Sequence, residues 1–427
     1  MQSEKLRKLA LLCVMLVPLG LLHAWVLAEI CIGIVDVLFL AQAGARRDFA
    51  WARQPWFILA SLWWVWLVVC STPLPLPDFA ADGWPGFIQA FLIIRLILFA
   101  AALQSWLLTT PGARRAAWSV LALSAAWIAV ESWQQYLTGH NIFGWPRWGD
   151  GSLTGPFQKP RAGDIYAHLM FIAVLPPAMA LLARPGWPPR LAGMALAVLA
   201  TITAVLIGQR MGVAFAGLGL AVAAVFLPRL RLPLGVALAL AIAVLIATPL
   251  ISPATHGKLV GETQRNFHHF SQSPYGEIFT RATVMGLQSP LHGWGYRGYR
   301  AACMQPRFNQ GLPALGIPPT QTALSACNLH PQNFYIQAFS DAGFPGLALF
   351  VALMLYWTWL AARGLWRNPD PVRVGLLIGI INYTWPIAST DEFPALYMLG
   401  WFFFFIGLSL ACAGVAPNPP FVEAKNV

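Results

Sequence analysis

Residues 9–40 read LALLCVMLVPLGLLHAWVLAEICIGIVDVLFL, and apolar side chains run through them almost without a break. Glu29 and Asp36 are the formal charges in that run. A helix crosses the hydrocarbon core of a bilayer with about 20 apolar residues. The run is therefore long enough for two crossings, expected at 8–23 and 25–43. A basic start, Lys5, Arg7 and Lys8, precedes it, as in a secretory leader. No small-residue cleavage site follows and further apolar runs do, so this segment is expected to stay as a first helix.

The same rule, applied outward, predicts further spans at 55–71, 86–108, 116–136, 164–183, 190–207, 211–227, 233–251, 344–363, 372–389 and 394–415. The chain has 427 residues, 58% of them hydrophobic and only 10% charged, where soluble domains carry about 25% charge. A soluble α/β fold is excluded. The expectation is an all-α polytopic integral membrane protein with about twelve transmembrane helices. Its parts are helices and short loops over 1–251, one large loop over 252–343, and the last three helices with a tail over 344–427.

The net charge is +11. In a membrane protein such an excess reflects the enrichment of Lys and Arg in cytoplasmic loops, so membrane lipids, and no nucleic acid, are the expected partners. If the spans alternate as drawn, one set of ends carries Lys5, Arg7, Lys8, Arg46, Arg47, Arg53, Arg114, Arg115, Arg184, Arg190, Arg229, Arg231, Arg363, Arg367, Arg373 and Lys425. That side is expected to be cytoplasmic, with both termini on it. One span more or fewer would scatter these residues over both sides. The opposite face then receives loops 71–85, 137–163, 252–343 and 389–393 and the turn Gln209-Arg210.

Several basic residues break the pattern on that outer face. Arg210 sits in the turn Leu206-Ile-Gly-Gln-Arg-Met-Gly212 between two apolar spans. A charge at that depth is expensive and marks a functional candidate, although an Arg can also snorkel to headgroups. Lys159 and Arg161 lie in Thr154-Gly-Pro-Phe-Gln-Lys-Pro-Arg161, at the entry to the sixth span, as anion ligands or as solvated loop charges. Arg281 falls on a short amphipathic helix expected over 276–288, as an anion ligand or in an i,i+4 pair with Glu277. Within the bilayer, Arg95 is expected in a structural ion pair with Glu29, Asp36 or Glu131, or in a role near a bound lipid. Cys303 and Cys327 lie in the large loop, as a disulfide on an oxidising face or as two free thiols. No metal ligand set stands out. Asp391-Glu392 is the one acidic pair in a short outer loop and the best place for a metal if one exists.

The large loop closes with Asn328-Leu-His-Pro-Gln-Asn-Phe-Tyr-Ile-Gln-Ala-Phe-Ser-Asp-Ala-Gly-Phe-Pro-Gly346. Pro331 suits the first position of a helix, which would put Asn328 or His330 at the cap and Gln332 and Asn333 in the first turn. A helix N-terminus would favour a neutral histidine, suited to a general base. The Gly343-Phe-Pro-Gly346 cluster should then bend or break the helix.

This stretch resembles the signature of the O-antigen ligase and polymerase superfamily. Asp341-Ala-Gly343 and Gly346 match the tail of the motif. At its head Gln332 stands directly before Asn333, and the histidine, His330, comes two positions earlier. Gln209-Arg210-Met-Gly212 is similar to the superfamily's short Ser/Gln-Arg-x-Gly segment, Gly155-Pro-Phe157 to its Gly-x-Phe, and Pro290-Leu-His-Gly293-Trp-Gly295 to its P-x-x-G-x-G.

The resemblance implies transfer of a glycan from undecaprenyl diphosphate to a hydroxyl of lipid A–core oligosaccharide. The setting it implies is the periplasmic face of a bacterial inner membrane, with inversion and no cofactor. His330 would be the base. Arg161, Arg210, Arg281 and Lys159, with Gln332 and Asn333, would bind the donor. An O-antigen polymerase or a protein O-oligosaccharyltransferase would share that donor. A lipid flippase or transporter, the reading from another class, would need polar residues along a path through the midplane.

Overall fold

The computed structural model describes residues 2–75, 79–320, 327–390, 392–393 and 395–414. Asp391 and Lys425, named above, lie outside the described residues. Among those described, β structure is limited to two isolated bridges, His140–Pro146 and Leu312–Ile317.

In chain order the helices that build the fold are α1 (Gln2–His23), α2 (Trp25–Arg46), α3 (Pro55–Ser71), α4 (Gly83–Leu92) continued by α5 (Ile94–Ala102), α6 (Pro111–Thr138), α7 (Ala162–Leu182), α8 (Trp187–Ile207), α9 (Arg210–Phe226), α10 (Arg231–Ile251), α11 (Pro274–Gln288), α12 (Phe334–Ala362), α13 (Pro371–Thr384) and α14 (Leu396–Cys412). With α4 and α5 taken as one run, Gly83–Leu107, eight of these runs are long and apolar enough to cross a membrane. Four more, α3, α9, α13 and α14, are apolar but shorter. Together they correspond one to one with the spans expected from the sequence. The protein is an all-α, multi-pass membrane protein.

The packing shows which solvent the fold was built for. Every side chain of α14 from Met398 to Leu410 is buried, as expected of a helix that is apolar all round. At the periphery, Ile246 and Leu250 of α10 are 72% and 92% exposed. Water would penalise that surface, and lipid does not. Arg95 finds its partner in Glu29, through bonds of 2.9 and 2.7 Å, and also donates to Leu92 O. A bidentate pair of this kind is a structural solution for a charge at membrane depth.

The tenth span starts earlier than its hydropathy predicts. α12 begins at Phe334 rather than near residue 344. Gln337, Ser340 and Asp341 interrupt the apolar pattern there, and a hydropathy argument discards them. They are nonetheless buried inside the protein. The expected bend is present, because Gly343 adopts φ 66° and ψ −167° in the middle of α12.

The loops of one face touch one another. Tyr296 N–H donates to Ser71 Oγ, Ser152 Oγ to Gly208 O, Gln209 Nε2 to Pro160 O and Thr390 N–H to Gln332 O. Lys258 Nζ also donates to Ser152 Oγ, so the described residues of segments 71–82, 139–161, 208–210, 252–333 and 385–395 share one end of the bundle. At the opposite end Arg7 donates to Leu107 O, Arg114 to Leu108 O and Arg373 to Arg363 O.

Candidate functional site

The large loop has a core of its own. Ser273 caps α11, accepting from Gly276 N. Met285 on its inner face packs with Trp294, Tyr299, Cys303 and Phe308. Cys303 and Cys327 form a disulfide. Segment 293–319 contains a short helix, Gly298–Ala302, and two 3-10 turns.

Arg281 is 0% exposed in this core and does not line an open surface. Its guanidinium donates to Cys303 O and Thr320 Oγ1 at 2.8 Å each, and to Cys327 Sγ at 3.3 Å. Burial lowers its pKa from the usual guanidinium value. Its bonds brace the chain on both sides of the disulfide.

The two glycine motifs meet backbone to backbone. Trp294 N–H donates to Ser340 O (2.8 Å), Gly295 N–H to Asp341 O (2.9 Å) and Phe344 N–H to Pro290 O (2.7 Å). A Cβ on Gly293 would stand 2.4 Å from Ala342 N, and one on Gly343 would stand 2.5 Å from Pro290 O. Both glycines also have positive φ, 64° and 66°. Only glycine supplies both the conformation and the space. These contacts hook the loop onto the bend in α12. Tyr296 continues from the hook to hydrogen-bond Glu392, and burial with the nearby carboxylates of Glu392 and Asp341 pushes its phenol well above the ordinary range.

The helix start differs from the sequence expectation. Asn333 is the cap of α12, accepting from Tyr335 N at 3.0 Å and Ile336 N at 3.1 Å. Its amide also donates to Pro386 O and Ala388 O. Pro331 and Gln332 lie outside the helix, with Gln332 in the left-handed region at φ 56°. The local competition was between proline at the first helical position and asparagine as a cap, and the asparagine prevailed. His330 is therefore three residues upstream of the cap, and the helix dipole does not act on it in the way the sequence implied. Instead Gln332 N–H donates to His330 Nδ1 at 3.2 Å. A neutral ring in that arrangement carries its proton on Nε2. Loop 385–393 is fastened to this turn by Thr390 N–H to Gln332 O and Phe393 N–H to Gln337 Oε1.

Arg161 and Arg210 precede and begin adjacent helices. Gln209 ties them together, since its amide donates to Pro160 O and accepts from Asp164 N. A Cβ on Gly212 would be 2.7 Å from Gly163 O, so the N-termini of α7 and α9 pack at backbone contact. Arg210 has a carboxylate partner, Glu262, at 3.4 Å, and lies 5.9 Å from the Tyr275 ring centre. Arg161 has a different environment. Its guanidinium carbon is 4.6 Å from the Trp25 ring centre and 4.3 Å from that of Tyr397. Among the described residues no carboxylate or carbonyl accepts from it. Lys159 beside it is exposed.

Arg161, Arg210, His330, Gln332 and Asn333 thus share one face of the bundle, with Lys159 at its rim. Loop 385–395 leads from the His330 turn to Tyr397 and so to Arg161. Arg281 stands apart in the loop core. Trp25, Tyr397, Glu262 and Tyr275 were not singled out by sequence reasoning. The position of Trp25 as the first residue of the second expected span was the one available signal. Among the described residues no three His, Cys, Asp or Glu side chains form a group able to hold a metal ion.

No curated protein matches this chain. A family model described as O-antigen ligase matches residues 195–351, a stretch that includes Arg210, Arg281 and His330 and leaves out Arg161. This match places residues 195–351 in the O-antigen ligase/polymerase superfamily.

Proposed function

We propose that this protein is a glycan transferase of the ligase type, acting at the periplasmic face of a bacterial inner membrane. It takes a glycan from undecaprenyl diphosphate and passes it to a hydroxyl of lipid A–core oligosaccharide. The observation that carries this reading is Arg161. It is a half-buried guanidinium with no anionic partner among the described residues, on the same face as Arg210 and His330. Arginine binds phosphate oxygens through paired N–H groups and keeps its charge. An arginine held by two aromatic rings beside a membrane surface suits a lipid-linked diphosphate.

The chemistry follows from that placement. The acceptor hydroxyl attacks the anomeric carbon from the side opposite the diphosphate, and the anomeric C–O bond to the diphosphate breaks with its electron pair leaving on the phosphate oxygen. The configuration inverts. Arg161 and Arg210 take up the charge that develops on the leaving group, with Lys159 at the rim. Arg210 must exchange Glu262 for phosphate as it does so. His330 receives the hydroxyl proton. Its Nδ1 lone pair is engaged by Gln332 N–H, so the acceptor hydroxyl replaces that amide at Nδ1 when it binds. Gln332 and Asn333 hold the turn in place and fasten loop 385–393 against it. Arg281 contributes by stabilising the loop, not by contact with the donor.

An O-antigen polymerase would use the same site with a lipid-linked glycan as acceptor. Offering purified protein the donor with lipid A–core, with a second lipid-linked glycan, or with a protein acceptor separates these readings. Transfer to lipid A–core supports ligation. Transfer to the lipid-linked glycan alone replaces it with polymerisation.

A further inference from the structure

The proposed donor site has a second layer that the sequence motifs do not include. We infer that Trp25 and Tyr397 are positioning residues for Arg161, setting its guanidinium so that the N–H edge meets the diphosphate of the lipid-linked donor. This inference rests on the reading of Arg161 given above.

Three helix starts converge here. Trp25 opens α2 directly after the break at Ala24, where φ is −152° and ψ 80°. Tyr397 lies in the first turn of α14, and Arg161 immediately precedes α7. The two rings are nearly parallel, 19° apart, with centres separated by 5.6 Å. The guanidinium carbon lies within 4.6 Å of both centres. A guanidinium is attracted to an aromatic face, and two rings constrain its plane more than one does. The rings engage its surface without using its N–H groups. The fork that recognises phosphate is left available.

Among the described residues no carboxylate holds Arg161, and the arrangement gives a reason. An acid would fix Arg161 equally well, but it would occupy the N–H edge and compete with the donor, as Glu262 does at Arg210. Trp25 is 43% exposed, so the rings reach the surface where a headgroup arrives. Tyr397 follows loop 385–395, which is bonded to Gln332 and Asn333. The platform therefore connects the anion-binding arginine with the His330 turn. A tryptophan serving only in the interfacial aromatic belt would have no energetic link to Arg161.

The test is a double-mutant cycle on the full-length protein in nanodiscs, with undecaprenyl-diphosphate-linked glycan as donor. Trp25→Leu, Trp25→Phe, Tyr397→Leu and Tyr397→Phe are each made with Arg161 intact and in an Arg161→Ala background. With Arg161 present, each Leu variant should raise the donor KM about tenfold, in keeping with a cation–π contact of partly desolvated type. The acceptor KM should stay unchanged. Each Phe variant keeps a ring and should stay within about threefold of the parent. In the Arg161→Ala background the Leu variants should cause no further change. Equal losses in both backgrounds, or Phe variants no better than Leu variants, would overturn the positioning role. If Arg161→Ala itself left the donor KM unaltered, the donor-site assignment would fall, a result the single mutant reports separately.

Discussion

Replacing Gly343 with Ala should open the hook that joins the large loop to α12. The added Cβ would lie 2.5 Å from Leu291 C and from Pro290 O, which are backbone atoms and cannot swing aside. Gly343 also occupies φ 66° and ψ −167°, a region populated essentially by glycine and costing other residues about 1–3 kcal/mol. Three backbone bonds depend on this approach: Trp294 to Ser340, Gly295 to Asp341 and Phe344 to Pro290. Each contributes roughly 0.5–1.5 kcal/mol net. Strain and bond loss are alternatives rather than a sum, because relaxing one incurs the other. A local cost of about 3 kcal/mol is reasonable, equivalent to a factor of about 150 in the open-to-closed ratio. Hydrogen exchange followed by mass spectrometry reads this directly, since local opening governs exchange of these amides. Peptides covering 289–296 and 340–346 should exchange about 100-fold faster in Gly343→Ala. Gly217→Ala is the control, because a Cβ there meets nothing within 4 Å. Unchanged exchange at Trp294, Gly295 and Phe344 in Gly343→Ala would refute the hook.

Other perturbations separate scaffold from site. Arg281→Ala leaves the loop core without its bonds to Cys303 O and Thr320; limited proteolysis should show faster cleavage within 252–333, with activity falling in step, whereas Arg161→Ala should lose activity with the cleavage pattern unchanged. Breaking the Cys303–Cys327 bridge by Cys303→Ser removes a cross-link between residues 24 apart, worth about 3.5 kcal/mol on a chain-entropy model, and should reproduce the proteolytic phenotype of Arg281→Ala. Glu262→Gln frees Arg210 from its carboxylate and should lower the donor KM by no more than about fivefold in steady-state kinetics, since a half-exposed ion pair contributes up to about 1 kcal/mol. Glu29→Ala leaves Arg95 unpaired at membrane depth and should lower the melting temperature, while the double change Glu29→Ala with Arg95→Leu should recover most of it.

The fold was legible because the bilayer imposes its thickness on the sequence. Twelve apolar runs announced themselves, and the basic residues of their connecting ends agreed on one side. The start of α12 was hidden for the same reason. Gln337, Ser340 and Asp341 look like loop residues to any hydropathy argument, yet they are buried against partners far along the chain, such as Phe393 and Trp294. Capping chemistry at Asn333 was misread because Pro331 offered a competing local signal. That His330, Arg161 and Arg210 lie at one end of the bundle was expected from the alternation of spans. Sequence could not show that Arg281 points inward, because its environment is made by Cys303, Thr320 and Cys327, all distant in the chain. Nor could it show that Trp25 and Tyr397 meet Arg161. That contact depends on how three helix starts pack, and a tryptophan at a span end reads first as a belt residue.

The central claim is that this chain transfers a lipid-diphosphate-linked glycan through the face holding His330, Arg161 and Arg210. The most direct measurement is glycan transfer by the purified protein from undecaprenyl-diphosphate-linked glycan to lipid A–core with EDTA present. Wild type would be compared with His330→Ala, Arg161→Ala and Arg210→Ala. The account predicts transfer by wild type and losses of about 10²–10⁴-fold for His330→Ala and 10²–10³-fold for either arginine variant. Wild-type rates in all three variants, or no transfer by wild type to any hydroxyl acceptor, would contradict it.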